Sequence, residues 1–194
     1  MLSPVIILLL ILLAYVYTAQ ILKQKKIWYT VAWIVMVLVV VFKDLVFLTP
    51  LVKGYVGFAF FYVVMITGAL DPKWTLTKRL RSVRTSYSIL GFTLLIAHPL
   101  SYSIKVLSGT IAIPWFGLGA FLVMIPLFIT SYISIRKKMK AKTWSSLQKW
   151  AYLSYGLILI HLIVNASTVP NRIVAIGLFI PYIVLKLLKE LKKK

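Results

Sequence analysis

Long apolar runs, broken at short intervals by basic clusters, set the pattern of this chain. The runs are Leu2–Leu22, Ile27–Phe42, Leu51–Leu70, Thr85–Leu107, Ile113–Ile135, Leu147–Ser167 and Ile173–Leu188. A helix needs roughly 20 apolar residues to cross the hydrocarbon core of a bilayer. The second run is short of that length. The pattern predicts an all-α membrane protein, a bundle of about seven transmembrane helices. The first run has no basic stretch before it and no small-residue cleavage site ahead of the lysines at 23–26, so it reads as a retained helix rather than a signal peptide.

The charges between the runs alternate. Lys23, Lys25 and Lys26 follow the first run. Lys73, Lys78, Arg79, Arg81 and Arg84 follow the third. Arg136, Lys137, Lys138, Lys140 and Lys142 follow the fifth, and Lys189 and Lys192–Lys194 close the chain. The remaining connections carry little: Lys43 and Lys53 with Asp44, then Lys105, then Arg172. Basic loops favour the cytoplasmic face. Every second connection is basic, so one topology satisfies them all, with the N-terminus outside and the C-terminus cytoplasmic. A count of six helices remains open; it puts the N-terminus inside and needs one of the first three runs not to span.

Composition narrows the chemistry. Of 194 residues 61% are hydrophobic, and the mean hydropathy is +0.96. Lys and Arg number 23 against three acids, Asp44, Asp71 and Glu190, for a formal charge of +20. In a soluble chain such a charge points to nucleic acid. Here the clusters between apolar runs read as anchors on an anionic leaflet, with the lipid bilayer as partner and no nucleic acid. The expected location is the plasma membrane, multi-pass. The absence of cysteine excludes disulfides and thiolate catalysis, and so few carboxylates argue against hydrolytic dyads and hard-metal cages. No phosphate-binding glycine loop follows a strand, so nucleotide chemistry would belong to a partner. No internal repeat is evident. Without intramembrane carboxylates or an obvious pair of half-helices, a small-molecule transporter fits poorly.

His98 and His161 are the two histidines, and both fall inside expected spans. An ionisable side chain at membrane depth is costly and marks a candidate site. The alternative is a neutral imidazole bonded to a neighbouring helix. Thirteen residues separate Thr85 from His98 and Gln148 from His161. At 1.5 Å per residue, each lies about 20 Å from the inner surface on parallel helices. Two imidazoles at one level suit a flat macrocycle with two axial ligands, one bis-His haem b. Gly91 and Gly156 are small enough to let a macrocycle edge approach. Carbonyls one turn earlier, near Leu94 and Leu157, or the side chains of Ser101 and Asn165, are candidate acceptors for the ring N–H groups.

Three stretches carry a family resemblance: TKRLRSVRTSYSILGFTLLIAHPLSY from Thr77 to Tyr102, PLFITSYISIRKKMKAKTWSSLQKWAYL from Pro126 to Leu153, and LILIHLIV from Leu157 to Val164. In their order and spacing, residues 45–194 resemble the ferric-reductase-like transmembrane domain family, and most of all the haem-binding membrane subunits of periplasmic methionine-sulfoxide reductase systems. Residues 1–44, the first two helices, are poorly covered by the resemblance. The family's Arg-Arg-x-x-Gly entry is here Arg84-Thr85 followed by Ser88, and its usual histidine at the start of the sixth helix is Gln148. Relatives with two stacked haems have a second histidine pair at positions matching Arg84 and Gln148, so the resemblance implies at most one haem, ligated by His98 and His161.

The resemblance further implies a flavin (FMN) or quinone near the inner ends of the fourth and sixth helices, with Arg81, Arg84, Trp144 and Gln148 as candidate contacts. Arg suits a flavin phosphate. Lipid phosphate is the plainer partner for the arginines, and interface anchoring is the plainer role for Trp144. The activity implied is that of a redox membrane subunit. It would carry electrons from a cytoplasmic flavin reductase or a membrane quinol to an extracytoplasmic acceptor, such as a methionine-sulfoxide reductase catalytic subunit or ferric iron. Trp115 and Phe116 are candidates for the exit surface. The alternative is a haem-free membrane scaffold or assembly protein with structural histidines.

Overall fold

The computed structural model of the chain describes residues 2–191, and among these every regular element is helical. The helices are α1 (Ser3–Lys23), α2 (Lys25–Val41), α3 (Thr49–Val52), α4 (Tyr55–Ala69), α5 (Thr75–Leu95), α6 (Ala97–Leu107), α7 (Trp115–Ile129), α8 (Ile133–Arg136), α9 (Ala141–Gln148), α10 (Trp150–Val164) and α11 (Val169–Leu191). Each of the seven apolar runs carries a helix. By length and hydropathy, three stretches suffice to cross a membrane: Ser3–Lys23, Thr75–Leu107 and Ala141–Val164. The pair Val46–Val52 and Tyr55–Ala69, bent by 41°, makes a fourth if taken as one span. Large apolar side chains lie exposed along α1, α2, α10 and α11. Water does not tolerate such surfaces, but hydrocarbon does.

Several boundaries differ from expectation, for local reasons. The third run breaks at Gly54, whose φ of +74° suits a residue without Cβ and turns the chain between α3 and α4. The fourth helix starts ten residues earlier than Thr85, so Lys78, Arg79, Arg81 and Arg84 sit on α5 and not in a loop. The fifth run ends early. Pro126 lies inside α7, and the Thr130 and Ser131 hydroxyls donate back to the Pro126 and Leu127 carbonyls (2.7 and 2.8 Å), closing the helix. Lys142 lies on α9. Lys192, Lys193 and Lys194 lie outside the described residues.

The chain divides into two compact units, residues 1–104 with 180–194, and residues 105–179. In the first unit, α5 is the central helix. The Tyr87 hydroxyl donates to the Leu10 carbonyl (2.8 Å), and Arg79 reaches the Tyr15 carbonyl with its guanidinium over the Tyr15 ring, so α1 runs antiparallel to α5. Tyr29 bonds Ser86 (3.2 Å), and Met36 and Val39 pack with Ala97, so α2 runs parallel to α5. Gly57 and Gly91 bring the α4 and α5 backbones together, and Phe60 meets Tyr87 edge-on at 5.0 Å. A Cβ on Gly57 would lie 2.8 Å from the Leu95 Cβ, so this close approach requires glycine.

The basic turns therefore gather at one end of this unit: the end of α1, the start of α2 and the α4–α5 turn. Lys189 of α11 joins them, donating to the Gly68 and Leu70 carbonyls (2.8 and 3.0 Å) where α4 ends. A cation there neutralises the exposed carbonyl end of the helix.

In the second unit α7 and α10 form an antiparallel pair. Gly117 faces His161, the Ser154 hydroxyl reaches the Ala120 carbonyl (3.4 Å), and the Trp144 indole N–H donates to the Thr130 carbonyl (3.2 Å).

Candidate functional site

His98 sits in the first turn of α6, directly after Ile96, where α5 ends. Its Nδ1 lies 2.8 Å from the carbonyl oxygen of Val52, the last residue of α3. A carbonyl can only accept, so Nδ1 carries the proton and the ring's lone pair is on Nε2. Metal-ligating imidazoles are typically held in this way, with one nitrogen donating to a backbone carbonyl while the other faces the metal. Gly54 packs on the ring; a Cβ there would lie 3.2 Å from the His98 Cγ. Tyr102, one turn on, meets the imidazole edge-on at 5.2 Å.

His161 sits near the end of α10, against Gly117 on α7. A Cβ on Gly117 would lie 2.6 Å from the ring Cε1 and 2.7 Å from Nδ1, so the imidazole fills the space a side chain would need. The Asn165 amide donates to the His161 carbonyl (2.9 Å) and lies 3.1 Å from Nδ1. With the amide nitrogen facing Nδ1, the ring proton is on Nε2. The donation to the His161 carbonyl fixes this orientation of the amide, because the turned-over amide would set its oxygen against that carbonyl oxygen.

The two histidines occupy matching places. His98 follows Gly54 by 44 residues (54 to 98), and His161 follows Gly117 by 44 residues (117 to 161). In each unit the glycine stands near the start of the first helix of an antiparallel pair, a basic stretch follows that helix, and the histidine lies against its glycine, His161 near the end of α10 and His98 just past the end of α5, in the first turn of α6. The same 63-residue offset relates the close approach of Gly57 to Gly91 with that of Ala120 to Ser154. It also relates Thr67 to Thr130, whose hydroxyls both donate to the carbonyl four residues back (2.5 and 2.7 Å). The same spacings thus recur in the two units, and the equal glycine-to-histidine spacing was legible in the sequence.

The other candidates fall as follows. The acceptor for His98 is Val52, not Leu94 or Ser101; the Ser101 hydroxyl is buried with no hydrogen-bond partner among the described residues. Asn165 does meet His161. Gly91 faces α4, a Cβ on Gly156 would meet nothing, and the glycines on the two imidazoles are Gly54 and Gly117. Arg81 and Arg84 are exposed on α5 in the first unit. Trp144 and Gln148 lie on α9 in the second. The Trp144 ring carries the Arg136 guanidinium on one face, 4.0 Å from its centroid. The Gln148 amide nitrogen is buried without a hydrogen-bond partner among the described residues. Trp115 is exposed at the start of α7. Among the described residues no three His, Cys, Asp or Glu side chains come together as a metal site.

No family model matches the chain. It is similar to an uncharacterized protein of Treponema pallidum (strain Nichols), 30% identical over 128 residues, which are 60% of this chain and 35% of that protein. The chain therefore spans about a third of the length of the curated relative it matches. No solved structure matches it.

Proposed function

We propose that this chain is a plasma-membrane electron carrier holding one haem b, with His98 and His161 as its axial ligands. The observation that carries the reading is the matched glycine–histidine contact of the two units. In each the histidine is pressed on a glycine 44 residues earlier. The reading needs the two imidazoles at one level, and it draws that from the sequence, where each lies 13 residues after Thr85 or Gln148. Equal depth is what two axial ligands of one macrocycle require. The reading goes with seven spans, the N-terminus outside and the C-terminus cytoplasmic. Lys189 at the end of α4 supports that arrangement, because it brings two of the basic ends to one side.

Haem bound by two imidazoles supplies one-electron transfer with no vacant iron position for substrate. The protein's part is orientation and exclusion of water. Val52 holds His98 in the tautomer with its lone pair on Nε2, whereas His161, which faces the Asn165 amide nitrogen through Nδ1, would have to move its ring proton to Nδ1 to ligate through Nε2. Both rings lie among apolar helices. Electrons would enter from a membrane quinol or a flavin-linked donor at the basic side. The buried Gln148 amide suits a quinone or flavin carbonyl there. They would leave to an extracytoplasmic acceptor, of which a methionine-sulfoxide reductase catalytic subunit and ferric iron are the candidates, so substrate chemistry needs a partner.

The test is spectroscopic. Protein purified from a haem-replete host should show the dithionite-reduced spectrum of six-coordinate b-type haem. His98→Ala and His161→Ala should each abolish it, and Gln148→Ala should keep it. A folded, colourless protein would instead favour a haem-free scaffold. That second reading draws on one observation: each imidazole already has a hydrogen-bond partner inside its own unit.

A further inference from the structure

We infer that Lys78, Arg81 and Arg84 form a binding surface for the headgroups of anionic phospholipids at the start of α5. The three are exposed and spaced three residues apart, so they line one side of the helix, turned away from the buried Leu80, Val83 and Tyr87. None has a hydrogen-bond or ion-pair partner among the described residues. Arg79 points elsewhere and is spent on the Tyr15 carbonyl and ring. Of the three acids, Glu190 pairs with Lys186 and Asp71 accepts from the Lys73 backbone N–H. No ion pair among the described residues offsets the charge on this side of α5.

Its height selects the partner. The stretch Thr75–Leu107 is 33 residues long, about 50 Å as helix, against a hydrocarbon core of about 30 Å. The charge-free part begins after Arg84, so the surplus lies at the basic start and places these three side chains in the headgroup layer. Trp74 stands beside them, 53% exposed, as interfacial tryptophans do. A phosphodiester is the anion of that layer, and each Lys or Arg near such a surface strengthens attraction to it. The inference does not depend on haem.

The experiment is native mass spectrometry of the full chain released from nanodiscs of phosphatidylcholine with one part in four phosphatidylglycerol. Wild type should retain phosphatidylglycerol above its bulk share. The triple variant Lys78→Gln/Arg81→Gln/Arg84→Gln should lose that preference, by roughly five-fold per charge removed, with helix content unchanged by circular dichroism. Arg81→Lys/Arg84→Lys should keep it, since charge and not guanidinium geometry is at work. Lys53→Gln/Lys105→Gln, away from the basic end, should also keep it. Equal loss in that control would overturn the assignment to this surface. So would an unchanged preference in the triple variant. Copurified FMN that is lost in the triple variant while lipid retention stays constant would assign the arginines to a flavin phosphate instead. If the triple variant does not fold, the single variants Lys78→Gln and Arg84→Gln carry the same comparison.

Discussion

The Nδ1 of His98 is held 2.8 Å from the carbonyl of Val52, across a glycine with left-handed backbone, and this bond ties the α5–α6 break to the bend between α3 and α4. The ring orientation is thus set by main chain, which no side-chain substitution removes directly. Gly54 is the accessible handle. Gly54→Ala keeps the chain path only against a left-handed φ, at a cost of about 1–2 kcal/mol, and sets a methyl 3.2 Å from the ring. We expect a lower thermal midpoint in detergent, by roughly 2–8 °C, together with weaker haem retention. An unchanged midpoint would show that the backbone at Gly54 is not under this constraint.

Gly117 separates packing from backbone strain, because it lies inside α7 at ordinary helical angles. Gly117→Ala places a methyl 2.6 Å from the His161 ring, which must swing away. The expected result is loss of the b-type spectrum with the helix content of wild type. Gly156→Ala, whose methyl meets nothing, should leave the spectrum intact and is the matched control.

Asn165 is the second handle on His161. Asn165→Leu removes the hydrogen bond at Nδ1, and loss of such an orienting partner typically weakens metal binding about 10- to 100-fold. Haem titration of the apo-protein should show that loss, and Asn165→Asp, which offers an Nδ1–H an acceptor where the Asn165 amide nitrogen now stands, should bind haem more tightly than Asn165→Leu. Equal affinity in all three forms would remove Asn165 from the site.

Lys189 joins α11 to the end of α4 through two carbonyls. Lys189→Met should cost about 1.5–3 kcal/mol, the range for a hydrogen bond to a charged group. Lys189→Arg should restore part of it. Thermal unfolding followed by circular dichroism measures both; a Met variant as stable as wild type would mean the contact contributes nothing.

The native chain has no cysteine, so single-cysteine labelling reports sidedness cleanly. With the N-terminus outside, a membrane-impermeant maleimide should reach Ser108→Cys and Thr168→Cys in intact cells. It should reach Lys140→Cys only after permeabilisation. The reverse pattern would invert the topology, and labelling of all three from outside would refute the span count.

The residue pattern alone determined the helical class and that each apolar run carries a helix, because these depend on local hydropathy. It also marked His98 and His161, because ionisable groups in apolar runs stand out without coordinates. Tertiary structure decided the rest. The bend at Gly54, the early start of α5, the choice of Val52 over Leu94 or Ser101 as the partner of His98, and the glycine against each ring depend on which backbones approach each other. Residues such as Val52 and His98, 46 positions apart, meet only once the helices pack. The apolar side chains around them fill space almost interchangeably, so the pattern of hydropathy does not say which pairs will touch.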